Sequence, residues 1–232
     1  MSEPYAPPVP LPVSQIGVDA RAEFITKTYT HLLFAIIAFV GIEVFFFKTG
    51  LAVVMAQSML GVNWLFVLGG FMIVSWLASR AAFSARSLGA QYAALAAFVM
   101  AEAIIFVPLL FIAIHYSPGA INNAATVTLL GFVALTAVAF TTRRDFSFLR
   151  GFLMWGGIIA LAAIVMGVMF GFELGNFFSV LMVGFAGAAI LYDTSNVIHH
   201  FPEDRYVGAA LQLFASVALM LWYVLRLFMS RD

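Results

Sequence analysis

Residues 91–114 read QYAALAAFVMAEAIIFVPLLFIAI, an apolar run interrupted by a single charged side chain, Glu102. At about 1.5 Å per residue, a helix of that length crosses a hydrocarbon core of about 30 Å. Six further runs share its character: His31–Phe47, Val62–Ala78, Ala124–Phe140, Gly151–Phe170, Leu174–Val197 and Val207–Phe228. Together they predict an all-α, polytopic membrane protein with seven transmembrane helices. The composition agrees, with 64% hydrophobic and only 9% charged residues, where a soluble domain carries about a quarter charged. Such a chain cannot cover its surface with polar groups, so the lipid bilayer is its solvent.

Seven spans use most of 232 residues, which leaves one transmembrane domain, residues 25–232. Residues 1–24 hold five prolines (Pro4, Pro7, Pro8, Pro10, Pro12) and no apolar core. They read as an extended, disordered tail rather than a signal peptide, so insertion falls to the first span. Orientation follows from the Lys and Arg residues of the short loops. One face holds eight: Arg21, Lys27, Arg80, Arg86, Arg143, Arg144, Arg150 and Arg205. The other holds three: Lys48, Arg226 and Arg231. The N-terminus is therefore expected in the cytoplasm and the C-terminus outside.

The formal net charge is zero and there are no cysteines. The first removes the basic field that nucleic-acid binding requires. The second removes disulfides, zinc–thiolate sites and cysteine nucleophiles. No His-Glu-x-x-His, Gly-x-Ser-x-Gly or phosphate-loop pattern is present, so neither catalysis nor a cofactor is expected. Helix contacts are expected at small residues, where backbones approach closely. Gly167 with Gly171, and Gly184 with Ala188, have the right spacing.

Acids within the spans are costly unless paired, wet or neutral, and they mark functional sites by default. Glu102 falls near the middle of the third span. It is either a proton or cation site or a neutral acid bonded to a neighbouring helix. Glu43 lies near Lys48 and reads as an interfacial residue. Asp193 lies in the last turns of the sixth span, and Asn196 projects from nearly the same face. An arginine from the end of the second span, Arg80 or Arg86, is placed to latch Asp193 by an ion pair. Ser216 in the seventh span needs no purpose beyond bonding to a carbonyl one turn back. His199 and His200 in the following loop are better read as interfacial residues than as metal ligands, which must converge from several directions.

The text GAAILYDTSNVIH at 187–199, ALQLFASVALMLWYVLR at 210–226 and TTRRDFSFLRGFL at 141–153 resembles the Bax inhibitor family, the transmembrane Bax inhibitor motif proteins. The loop at 141–153, the Asp-Thr-Ser-Asn-Val-Ile-His string and the terminal Ser-Arg-Asp are similar to its bacterial YccA-type branch. The resemblance implies a seven-helix bundle with the last helix central, in a bacterial inner membrane. It also implies two activities. One is a pH-sensitive calcium leak gated by two aspartates, on the sixth and seventh helices, that share a proton. Asp193 matches the first and Ser216 stands where the second belongs. With one carboxyl, the split titration of a close pair is lost. The other implied activity, associated with the YccA-type branch, is restraint of a membrane-anchored, ATP-dependent protease of the FtsH kind. A loose N-terminal tail would suit such a partner, since an unfoldase needs an end to grip.

Overall fold

The computed structural model describes residues 10–84 and 87–230. Among these residues, after a short 3-10 turn at Val13–Gln15, are eight α-helices: α1 (Val18–Lys48), α2 (Leu51–Leu60), α3 (Trp64–Ser84), α4 (Leu88–Tyr116), α5 (Ala120–Thr142), α6 (Leu149–Phe170), α7 (Gly175–His199) and α8 (Tyr206–Met229). Seven are long and apolar enough to cross a membrane, and α2 is a short apolar helix. The chain is a multi-pass membrane protein. α2 escapes a reading by span length because its 10 residues are half of what a crossing needs. Gly50, with φ 78°, adopts the left-handed conformation that turns the end of α1 into α2.

α8 lies at the centre, as the resemblance implies. It packs against α1, α3, α4, α5 and α7 and is the most buried of the spans. α6 is its opposite, with Ala160 its one buried residue. The core is aromatic around α8. Phe214 meets Phe39 of α1 and Phe98 of α4 at ring-centroid distances of 6.0 and 6.2 Å. In lipid there is little hydrophobic gain from pairing helices, so close packing carries the association. Gly208, where α8 passes α3, illustrates it: a β-carbon there would stand 3.2 Å from the Ala82 carbonyl oxygen. Gly187 also serves packing, facing Leu135 and Met220. Gly171 and Gly184 do not. Gly171 ends α6 with φ 71°, and Gly184 has open space around it.

The N-terminal segment departs from the expected tail. Residues 1–9 lie outside the described residues, but from Pro10 onward the chain is part of the fold. Leu11–Val13 runs antiparallel to the α7–α8 loop: the Val13 N–H donates to the Phe201 carbonyl at 2.9 Å and the Glu203 N–H to the Leu11 carbonyl at 3.1 Å. Val13 is fully buried. Arg21 holds the turn by donating to the Val13 and Ser14 carbonyls at 3.0 and 2.7 Å. The prolines that suggest disorder also suit a segment that pairs through few N–H groups. α1 then begins at Val18, well before the apolar run, and its polar first turns are braced by a Glu23–Lys27 ion pair at 2.7 Å.

Candidate functional site

Asp193 points into the bundle and is buried. α7 places it six residues before its end at His199, and α8 supplies both of its partners. Gln212 donates from Nε2 to Oδ1, and Ser216 donates from Oγ to Oδ2. Gln212 and Ser216 are one turn apart and so share a face of α8. Each carboxyl oxygen therefore has one neutral donor. Beside this cluster, Tyr29 of α1 brings its hydroxyl up to Thr194 of α7 and Thr136 of α5. All three hydroxyls are buried without a well-formed hydrogen bond among the described residues. Four helices thus converge on one polar cluster.

The latch expected from Arg80 is not formed. Arg80 sets its guanidinium over the Trp76 ring, 5.4 Å from the centroid, and makes no ion pair with Asp193 among the described residues. The donors that Asp193 does have both come from α8. Arg86 lies outside the described residues. Asn196 is buried but is not bonded to Asp193. Its backbone carbonyl accepts the His200 and Phe201 N–H groups at 2.8 and 3.0 Å, which ends α7.

The same end of α7 grips the α5–α6 loop. Ser195 accepts the Phe146 N–H at 2.9 Å, and His200 Nε2 lies 2.9 Å from Asp145 Oδ2. The Ser147 N–H, with the His200 ring, holds the Asp145 carboxyl below its ordinary range. His199 turns elsewhere, its Nδ1 lying 3.0 Å from the Ser195 carbonyl. The two histidines therefore serve different partners and do not converge.

Glu102 is also buried, but in a different place. It lines a cavity of about 960 Å³ between α3, α4, α6, α7 and α8, and has no hydrogen-bond partner among the described residues. Ala215 and Leu219 of α8 face this cavity, while Ser216 faces Asp193. The two acids do not meet. Glu43 departs from the interfacial reading: it is buried, and neither carboxyl oxygen has a partner among the described residues. α2 folds back against α1 and α4 and covers the end of α1 that the sequence would leave at the membrane surface.

Comparison with known proteins accords with this architecture. The family described as "Inhibitor of apoptosis-promoting Bax1" matches residues 21–232. A protein named "Modulator of FtsH protease YccA" from Escherichia coli is 34% identical over 108 residues, 45% of this chain and 49% of its own length. An uncharacterized protein of Pseudomonas aeruginosa is 36% identical over 111 residues, 47% and 49% of the two chains. "Bax inhibitor 1" of Schizosaccharomyces pombe is 30% identical over 105 residues, 43% and 38%. The matched region spans about half the length of these first relatives. The chain belongs to the Bax inhibitor family.

Proposed function

From its place in this family we propose that the chain is an integral membrane regulator that binds a membrane-anchored, ATP-dependent protease of the FtsH kind and restrains it. The observation that carries the reading is the pairing of Asp193 with two neutral donors. Where a second acid would make a proton-sharing pair, Ser216 supplies a hydroxyl, and Gln212 fills the remaining oxygen. This suits a fixed structural joint between α7 and α8 better than a titrating gate. The similarity to the FtsH modulator of Escherichia coli supplies the partner class. The Lys and Arg bias supports a cytoplasmic position for the α7–α8 loop and the N-terminal segment clasped to it, where such a protease would act. The test is a detergent pull-down of the full chain from its native membrane. It should recover a protease of this class; intact bait with no protease would overturn the reading.

A second reading is a calcium or other cation leak. It is favoured by the cluster of Tyr29, Thr136 and Thr194 hydroxyls beside Asp193, since buried oxygens without well-formed hydrogen bonds offer ligands to a passing ion. Reconstituted liposomes should then show calcium flux that changes with pH and with Asp193→Asn. Flux equal to that of empty liposomes removes it. Neither reading assigns a catalytic residue.

A further inference from the structure

The cavity around Glu102 is unused by either reading. Its volume of about 960 Å³ is at the upper end for small-molecule sites, which are mostly apolar with a few convergent polar groups. Its walls are aromatic and aliphatic, with Trp64, Phe71, Phe98, Phe106 and Trp222 among them. The flanking helices α3 and α6 barely touch, so the cavity faces the acyl chains between them. Glu102 is the fifteenth of the 29 residues of α4, which places it deep in the hydrocarbon layer. It is 7% exposed and without a hydrogen-bond partner among the described residues. Ser75 Oγ, on the facing wall, is buried and likewise unpartnered.

We propose that this cavity binds lipophilic amines, entering from the bilayer between α3 and α6, with the ammonium group meeting Glu102. The other charges on the lining, Arg226 and Glu173, lie at the α6–α7 end and are of opposite sign. Glu102 therefore sets the charge of the deep part. A bare acyl chain would fill the volume but would lay methylenes against the carboxyl and leave it unpaired, which is costly for a buried polar group. An ammonium supplies the missing donors. Aromatic faces around a cation add their own attraction, and the lining is rich in them. The apolar remainder of the ligand rests along Phe71 and Leu219.

The test uses the full chain in phosphatidylcholine nanodiscs and rhodamine 6G, a fluorescent lipophilic cation, followed by polarisation. Saturable binding is expected, displaced by dodecylamine and at least tenfold less well by dodecanoic acid. Glu102→Gln should weaken binding at least tenfold, and Ser75→Phe, which fills the cavity, should abolish it. Equal binding by Glu102→Gln overturns the proposal, as does equal displacement by the fatty acid, which would mark a crevice for acyl chains. Should Glu102→Gln fail to fold, undiminished binding by Ser75→Phe has the same force.

Discussion

Ser216 on α8 donates its hydroxyl proton to Asp193 on α7, and the two residues tie the central helix of the bundle to its neighbour. The bond is buried on both sides, so its loss leaves an oxygen that water cannot readily repair. Removing one partner of a buried hydrogen bond costs about 1–3 kcal/mol. Ser216→Ala should lower stability by that amount, and Gln212→Ala by a similar amount. Thermal unfolding in detergent reads the change. An unaltered midpoint for both variants would mean that the cluster carries no stability. Ser216→Asp instead sets two carboxyls side by side, a pair that cannot readily bear two charges. In liposomes this variant should show a calcium flux more dependent on pH than that of the wild type.

Gly208 sits where a β-carbon would come within 3.2 Å of the Ala82 carbonyl and 3.3 Å of the Phe83 ring. The first of these is backbone and cannot swing away. Forcing extra carbons into such a contact costs about 1–3 kcal/mol. Gly208→Val should therefore destabilise the bundle by that much and loosen α3 from α8. Gly69→Val, at an α3 glycine with open space around it, should cost no more than helix propensity, which is near zero or favourable for this change. Midpoints that fall equally would point to something other than the α3–α8 contact.

The spans were legible because each is long, nearly uncharged and bounded by Gly, Lys, Arg or Pro. Their exact ends were not, since α1 continues to Val18 through residues held by the Glu23–Lys27 pair and the Arg21 clasp, neither of which alters hydropathy. Asp193 was visible as an acid in the wrong solvent. Gln212 is not legible in the same way, because amides raise no comparable alarm and its partner lies on another helix. Ser216 had significance only through the family resemblance. Asp145 with His200, and Ser195 with the Phe146 N–H, join residues about 50 apart in sequence, and no local pattern announces such a contact. Glu102 was identified by its cost in lipid, but the cavity it lines is a property of five helices together. Where Arg80 turns, over the Trp76 ring, is not legible from its place at the end of a span.

Asp145 gives the pH dependence that can be worked out from the fold. The Ser147 N–H, followed by the His200 ring, holds its carboxyl below the ordinary value of 3.8. A depressed pKa in the folded state adds stability above the unfolded value, and that stability is lost as pH falls through the folded value. The side chain is about half exposed, so screening limits the gain to about 0.2–1 kcal/mol. Asp145→Asn keeps an oxygen for the Ser147 N–H and removes only the charge. At neutral pH it should unfold at a slightly lower temperature than the wild type, and the gap should close below about pH 4. A gap that persists at lower pH would place the effect outside the carboxylate.

Val13 joins the N-terminal segment to the core, being fully buried and bonded through its N–H to Phe201. Val13→Ala removes two methyl groups from that contact, worth about 2 kcal/mol with the space they leave. Opening of a short segment is governed by its own contacts rather than by the whole fold. The loss should therefore appear first as faster proteolysis of residues 10–17, before any fall in the global unfolding temperature. Arg21→Met, which deletes the donors to Val13 and Ser14, should act in the same direction and, being close to Val13, should not add independently. Cleavage that stays at the wild-type rate in both variants would mean that the strand pairing with the α7–α8 loop holds the segment alone.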